Sequence, residues 1–280
     1  MIKQGLFYLL YNMKNYNGTV IIAGAGPGDP DLISVKALKH LQQADVILID
    51  RLVSPELVKE NAKTDAEIVY VGKQCSKGIH TPQSLINELM VKYAQENKYV
   101  LRLKGGDISL FSNVLDELEY LQEANIPHEI IPGISAAFGA AAYTGIPLTA
   151  RGFSRGVRFL TIHNLDFVDS KQWEEWATTE DTLVFYMSGQ KINTLAQLLL
   201  QNNIDLDKKI AVIQQATTPE QHTQIFDFKQ LEEETIDFSY VPTLLIVGKV
   251  VNLYDKNKWI LEKALTASYF DQPINTASLC

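Results

Sequence analysis

Short apolar runs that end near glycine or aspartate limit the fold of this chain more than any other sequence feature. Four of them lie in its first half, at 20–23, 46–49, 68–71 and 99–103, and Gly24, Asp50, Gly72 and Gly105 follow them closely. Segments 32–44 and 85–96, with apolar residues at helical spacing, lie between runs. Strands that alternate with helices form mostly parallel sheets, whose carboxyl ends meet at one edge. The sequence therefore predicts an α/β protein with a ligand site at that edge.

The second half of the chain repeats the α/β pattern without a glycine-rich turn. Apolar runs predict strands at 157–162, 182–187, 209–213 and 243–247, and helices at 195–201 and around Leu231. We expect four segments: an N-terminal extension over 1–17, α/β domains over 18–134 and 135–254, and a C-terminal tail over 255–280. The tail is expected to be frayed after about Ala267.

Composition excludes several classes of protein. No apolar stretch reaches about 18 residues, so we expect no membrane span. The net charge of −8 argues against nucleic acid as the main partner. Two cysteines, Cys75 and Cys280, are too few for a disulfide framework and predict a cytoplasmic location. The five histidines lack metal-ligand spacing, and no Gly-x-Ser-x-Gly occurs, so we expect neither a metal site nor covalent hydrolysis.

The first glycine-rich turn, Gly24-Ala25-Gly26-Pro27-Gly28-Asp29-Pro30, is similar to a nucleotide-binding loop. Pro27 has no N–H to donate, and the carboxylate of Asp29 repels phosphate, so the turn is disfavoured as a phosphate cradle. A tight turn without a ligand remains the alternative to ligand contact at this strand end.

Two titratable residues follow strands at the same predicted edge. Asp50 can serve as a base, or it can form an ion pair with Arg51 or cap the next segment. Lys73 can donate a proton or bind an anion, or it can be solvated.

Two basic clusters lie beside strand ends or the connector between the domains. The clusters are either solvated faces or partners for a polycarboxylate ligand, since a guanidinium group can bind a carboxylate at two points. The first cluster is Arg102 and Lys104, and the second is Arg151, Arg155 and Arg158.

Nine segments, in order between about Gly18 and Tyr254, resemble the tetrapyrrole methylases: 23–30, 50–55, 71–73, 102–107, 132–134, 145–149, 183–187, 216–219 and 245–248. The resemblance implies a homodimer with two α/β domains and a ligand trough between them. It implies transfer of methyl groups from S-adenosyl-L-methionine to two ring carbons of uroporphyrinogen III. The products would be S-adenosyl-L-homocysteine and precorrin-2, formed through precorrin-1, for sirohaem or cobalamin biosynthesis.

The resemblance also implies roles for individual residues. Asp50 would be the proton acceptor and Lys73 the proton donor. Our own hypothesis, from the many carboxylates of such a substrate, is that these bind Arg51, Arg151, Arg155 and Arg158. The expected contacts of the methyl donor are Pro27, Gly105, Gly106, Asp107, Leu110, Ser135, Ala136, Met187, Ala216 and Thr243.

The acceptor half departs from the family pattern. Residues 108–115 replace a glycine-rich segment that contains arginine, Ala150 replaces histidine, and Gln74 replaces arginine. Two alternatives therefore stay open. One is a methyltransferase of the same family that acts on a later precorrin or a non-tetrapyrrole acceptor. The other is a homologue that binds the cofactor without catalysing transfer.

Overall fold

The structure, a computed structural model, describes residues 17–72, 81–162, 168–188, 191–233, 241–262 and 268–271. These residues divide into two compact units. The first unit contains 17–25 and 33–133, and the second contains 26–32 and 134–271. Each unit has its own five-stranded sheet and its own apolar core.

The sheet of the first unit is entirely parallel. Its strands are β1 (Val20–Gly24), β2 (Val46–Ile49), β3 (Glu67–Tyr70), β4 (Val100–Lys104) and β5 (His128–Ile131). They pair in the order β3-β2-β4-β1-β5, which confirms the parallel sheet that the alternating pattern predicts. Every residue of β1, β2 and β4 is buried because apolar clusters cover both faces of the sheet.

Four helices belong to the first unit: α1 (Val35–Leu41), α2 (Pro55–Asn61), α3 (Gln83–Gln95) and α4 (Val114–Glu123). The first of them starts later than the expected residue 32, because the side chain of Ser34 accepts a hydrogen bond from the amide of Ala37 and caps the helix. Ser54 caps α2 in the same way, with Pro55 at the first helical position.

The second unit has a mixed sheet. Its strands are β6 (Val157–Thr161), β7 (Thr182–Tyr186), β8 (Lys209–Gln214), β9 (His222–Asp227) and β10 (Thr243–Gly248). They pair in the order β6-β7-β10-β8-β9, and only β6 and β7 are parallel. The helices are α5 (Ala136–Thr144), α6 (Ser170–Thr178), α7 (Ile192–Gln201), α8 (Phe228–Glu233) and α9 (Tyr254–Asn257).

Two expectations about the ends of the domains need correction. Residues 26–32 cluster with the second unit, not with the domain over 18–134, since the amide of Asp29 donates to the hydroxyl of Thr217 at 3.0 Å and the hydroxyl of Tyr143 donates to the Asp29 carboxylate. The chain is not frayed throughout after Ala267, because Tyr269 and Phe270 are buried.

Candidate functional site

Three glycines allow the ends of adjacent strands in the first unit to approach one another. Gly24 ends β1, and Gly106 and Gly133 follow β4 and β5. A Cβ atom on Gly24 would lie 2.6 Å from the carbonyl oxygen of Gly106 and 2.7 Å from the Cα of Gly133. Only glycine fits where backbones approach so closely. At the carboxyl edge of the sheet, main chain from three strand ends is therefore in close contact.

Asp107 joins two of these strand ends. Its carboxylate accepts hydrogen bonds from the amide of Gly133 at 2.8 Å, from the amide of Ser109 at 2.9 Å and from the Ser109 hydroxyl. Burial alone would raise the pKa of Asp107. The hydrogen bonds from Ser109, Gly133 and Ile108 outweigh burial and hold the pKa below its ordinary value. Asp107 is therefore an ionised group that fixes the turn after β4.

Four charged side chains form a cluster in the first unit, which we call the buried charge cluster: Asp50, Arg102, Lys104 and Glu117. Arg102 lies between two carboxylates, with Nη2 at 2.6 Å from Oδ1 of Asp50 and Nε at 3.0 Å from Oε1 of Glu117. Lys104 Nζ donates to the second Glu117 oxygen at 2.8 Å. Asp50 thus pairs with Arg102 and not with Arg51, the ion-pair partner that the sequence offers as an alternative.

The basic residues of β4 are neither solvated nor available to a ligand. The side chains of Arg102 and Lys104 are 2% and 4% exposed, and that of Glu117 is fully buried. Burial acts to lower the pKa of Arg102, but the charges of Asp50 and Glu117 outweigh it and raise the pKa. Burial and the charge of Arg102 lower the pKa of Lys104. The sequence pattern does not predict this cluster. The one available signal is the spacing of four residues between Glu117 and Leu121, which places both on the buried face of α4.

The turn after β2 packs against two glycines of neighbouring strand ends. A Cβ on Gly105 would lie 2.7 Å from the Cβ of Leu52, and one on Gly72 would lie 2.9 Å from the Cα of Arg51. Asp50 therefore starts a turn that neighbouring backbone holds in place. Lys73, the other predicted proton-transfer residue, lies outside the described residues.

Residues 108–115, which depart from the family pattern, include part of the connection from β4 to α4 and the first two residues of that helix. Leu110, an expected donor contact, lies in this segment and is partly exposed. Phe111 and Asn113 have φ values of 55° and 54°, in the left-handed region that few non-glycine residues adopt. The backbone of this segment therefore adopts conformations that glycine would adopt with less conformational strain.

Three expected donor contacts meet at one edge of the sheet in the second unit. Met187 follows β7, Ala216 closely follows β8, and Thr243 begins β10. Since β7 and β8 both run antiparallel to β10, their carboxyl ends lie beside the start of β10, where Thr243 pairs with Gln214 and Leu244 with Tyr186.

The hydroxyl of Tyr186 connects helix α5 to this edge. It lies 2.6 Å from the hydroxyl of Ser135 and accepts a hydrogen bond from the amide of Ala137 at 3.1 Å. Because the Ser135 side chain makes no capping bond to its own helix, Tyr186 supplies the acceptor that the first turn needs. Ser135 and Ala136, both expected donor contacts, are thereby placed near Met187. The sequence pattern does not predict these contacts of Tyr186.

Pro27 joins the same group of residues in the second unit. A Cβ on Gly139 of α5 would lie 2.6 Å from the Cγ of Pro27 and 2.9 Å from the Cγ2 of Thr217, and one on Gly28 would lie 2.9 Å from the carbonyl oxygen of Ala216. The turn after β1 therefore packs against the segment that follows β8.

Left-handed backbone conformations concentrate at this edge. Met187, Gln215 and Thr217 have φ values of 56°, 49° and 68°. Such strained conformations persist where the surrounding structure fixes them, and they cluster at functional sites.

Two of the expected substrate-binding arginines share a cavity in the second unit. Arg151 and Arg155 line an open cavity of about 510 Å³ together with Thr149, Ala150, Gly152 and Ser154. Reciprocal backbone hydrogen bonds of 3.0 Å between Ala150 and Ser154 close the loop that carries them. Within the described ranges, neither arginine forms an ion pair with a carboxylate.

Arg158 has a different environment. Its Nε lies 2.9 Å from Oδ2 of Asp181, and its Nη1 lies 2.5 Å from Oε1 of Glu175. These hydrogen bonds raise the pKa of Arg158. The structure therefore groups Arg151 with Arg155 and gives Arg158 two carboxylate partners of its own.

In the part of the chain that the structure describes, no three histidine, cysteine, aspartate or glutamate residues are placed to hold a metal ion. Among the same residues, no helix has the length and apolar character needed to cross a membrane.

Comparisons with known proteins give consistent matches. A family model of the tetrapyrrole (corrin/porphyrin) methylases matches residues 19–232. A siroheme synthase from Vesicomyosocius okutanii subsp. Calyptogena okutanii is 43% identical over 254 residues, which are 89% of this chain and 53% of that protein. The siroheme synthase of Azotobacter vinelandii is 44% identical over 246 residues, which cover 86% of this chain and 52% of that protein. The chain thus spans about half the length of the curated relatives it matches.

Solved structures match over almost their whole length. The uroporphyrin-III-C-methyltransferase of Thermus thermophilus is 32% identical with a TM-score of 0.69, and the match covers 87% of this chain and 97% of that one. A structure of the Thermus thermophilus enzyme complexed with S-adenyl homocysteine is 30% identical with a TM-score of 0.70, covering 84% of this chain and 100% of that one.

Proposed function

Because the chain belongs to the tetrapyrrole methylases, we propose that it transfers methyl groups from S-adenosyl-L-methionine to two ring carbons of uroporphyrinogen III. The product is precorrin-2, formed through precorrin-1, which serves sirohaem or cobalamin biosynthesis. The observation that carries this proposal is the match to the whole length of the Thermus thermophilus methyltransferase complexed with S-adenyl homocysteine.

The methyl donor contacts residues at the two sheet edges described above. In the first unit these are Gly105, Gly106, Asp107 and Leu110, and in the second they are Pro27, Ser135, Ala136, Met187, Ala216 and Thr243. Gly105 and Gly106 carry no side chains, so their main-chain groups can contact the donor directly. Asp107 is ionised, and its hydrogen bonds from Ser109, Gly133 and Ile108 fix the turn that carries Gly105 and Gly106.

Methyl transfer of this kind is a displacement at the methyl carbon, with S-adenosyl-L-homocysteine as the leaving group. The main task of the protein is to align the acceptor carbon with the methyl group, and such positioning supplies roughly 7–11 kcal/mol. A proton must then leave the methylated ring system. Asp50 accepts it, and Lys73 donates the proton that the rearranging pyrrole system takes up.

The acceptor carries many carboxylates, which calls for cationic partners. Arg151 and Arg155 supply two guanidinium groups on one short loop beside an open cavity. Arg51 and Arg158 complete the proposed set, although the two ion pairs of Arg158 already satisfy part of its charge.

A second candidate is a methyltransferase of this family that acts on a different acceptor. The unusual path of residues 108–115 favours it, because left-handed Phe111 and Asn113 lie where the family pattern is rich in glycine. A cytoplasmic location and a homodimer also belong to the proposal. The first is supported by the cysteine content and the second by the family resemblance.

The test is an anaerobic assay with methyl-labelled S-adenosyl-L-methionine and uroporphyrinogen III. We expect label in the tetrapyrrole and a product mass with two added methyl groups. An unlabelled tetrapyrrole, with S-adenosyl-L-homocysteine still bound in calorimetry, would contradict the proposal. Label on a precorrin but not on uroporphyrinogen III would favour the second candidate.

A further inference from the structure

We propose that Arg102 is a positioning residue that fixes the carboxylate of Asp50 for proton transfer, and that Glu117 holds Arg102 in turn. This inference rests on the proposed function, in which Asp50 is the proton acceptor. It assigns a role to Arg102 and Glu117, two residues that the reaction itself does not use.

The guanidinium group of Arg102 is fixed on all its sides. Nε donates to Glu117 at 3.0 Å and Nη2 to Asp50 at 2.6 Å, while Nη1 lies 3.4 Å from the carbonyl oxygens of Leu48 and Leu103. The guanidinium is planar and rigid, so its contact with Glu117 determines where Nη2 presents a donor to Asp50. β4, which carries Arg102, is the central strand of the sheet, and Arg102 has almost no exposed surface.

Glu117 anchors the other side of this arrangement. It is fully buried and accepts hydrogen bonds from Arg102, from Lys104 at 2.8 Å and from Gln83 of α3 at 3.5 Å. Helix α4, which carries Glu117, contributes Leu121 to an apolar core cluster. Strands β1, β2 and β4 and helix α3 contribute to that cluster as well, with Val100 among its members. Well-packed apolar residues often serve stability at least as well as buried ion pairs. The charges here therefore call for a role beyond stability.

Asp50 is the least buried member of the cluster, with 30% of its side chain exposed. Its Oδ1 accepts the hydrogen bond from Arg102, and Oδ2 accepts none from the residues that the structure describes. Arg102 keeps its charge, because the two carboxylates raise its pKa above the ordinary value in spite of burial. The cluster thus holds one oxygen of Asp50 and leaves the other for the proton of the acceptor.

The first experiment is a double-mutant cycle with R102K and D50N, read as kcat for methyl transfer. A lysine ammonium is a single point charge and does not reproduce the two-sided contact of the guanidinium. We expect R102K to lower kcat by about tenfold or more, since small misplacements of a reacting group can cost up to about 100-fold. The KM for S-adenosyl-L-methionine and the Kd for S-adenosyl-L-homocysteine should stay unchanged.

The cycle separates positioning from a general structural effect. If Arg102 acts through Asp50, R102K has no further effect on kcat in the D50N background, because the two changes then remove the same contribution. If the two losses multiply, Arg102 acts independently of Asp50 and the inference is overturned. Wild-type kcat in R102K also overturns it. K63M is the control, since it removes an exposed ion pair with Asp45 in the same unit, and it should retain wild-type kcat.

A charge-balanced variant covers the case in which R102K does not fold. K104M/E117Q removes one cation and one anion and leaves the pair of Arg102 with Asp50. We expect it to fold and to lower kcat with an unchanged Kd for S-adenosyl-L-homocysteine, because Arg102 loses its anchor. A wild-type kcat in this variant would overturn the role of Glu117.

Failure of the proposed function can be told apart from failure of this inference. If the wild type methylates no uroporphyrinogen III, the proposed function fails. Crystal structures of the wild type and R102K then still test the positioning role. An Asp50 carboxylate that is displaced or has two conformers in R102K supports the positioning role. An Asp50 carboxylate in the same place in both structures overturns it.

Discussion

Replacement of Gly133 by alanine puts a methyl group where three strand ends of the first unit meet. The added Cβ would lie 2.8 and 2.9 Å from the Cα and carbonyl carbon of Gly24, and closer still to the carbonyl oxygen of Gly106, whereas ordinary contacts are 3.4–4 Å. All three atoms are backbone, so no side chain can turn away. Overpacking destabilises a fold by about 1–3 kcal/mol. Because the contacts here are with backbone, we expect G133A to lie at the upper end, about 3 kcal/mol. The lower entropy of unfolded alanine offsets up to about 1 kcal/mol, which leaves a net loss of about 2 kcal/mol.

The assay for G133A must report on the first unit. All three tryptophans, Trp173, Trp176 and Trp259, lie in the second unit, so their fluorescence does not follow the affected sheet directly. Hydrogen exchange with mass spectrometry should show faster exchange in β1, β4 and β5, and unchanged exchange in β7 and β10 serves as the internal control. Calorimetry should show weaker binding of S-adenosyl-L-homocysteine. Exchange and affinity equal to those of the wild type would refute the close-packed glycine junction.

Three further predictions follow. R151Q/R155Q should raise KM for uroporphyrinogen III and leave KM for the methyl donor unchanged; an unchanged acceptor KM in steady-state assays would remove both arginines from the substrate site. Asp107 has a folded-state pKa below its ordinary value, so it stabilises the fold above the unfolded-state pKa, and this contribution is lost as pH falls through the folded-state pKa. Urea unfolding should therefore find D107N less stable than the wild type near neutral pH, with a gap that closes in acid; a gap independent of pH would contradict this. Y186F leaves the amide of Ala137 without its acceptor, which should cost about 1 kcal/mol in urea unfolding and weaken S-adenosyl-L-homocysteine binding, and unchanged values of both would count against the capping role.

The interior strands β1 and β2 of the first unit could be predicted because both of their faces are apolar. β1 and β2 lie within a residue of the apolar runs that predict them. The edge strands β5 and β9 were not predicted, since β5 begins with His128 and Glu129 and β9 begins with three partly exposed polar residues. Polar residues on edge strands remove the apolar signal on which sequence prediction depends.

Long-range pairing explains what the sequence could not show at the site. Asp50 pairs with Arg102, 52 positions away, and not with the adjacent Arg51. The segment that contains Asp29 joins the second unit through Thr217, 188 positions away. Strand ends and glycines indicate where a ligand site lies. Which charges meet there depends on topology that local patterns do not determine.

A crystal structure with S-adenosyl-L-homocysteine tests the proposed donor site most directly. The account predicts the ligand in contact with the backbone of Gly105 and Gly106, and with Ala136, Met187 and Ala216. Binding at another surface, or a nucleotide phosphate seated on the turn from Gly24 to Pro30, would contradict it.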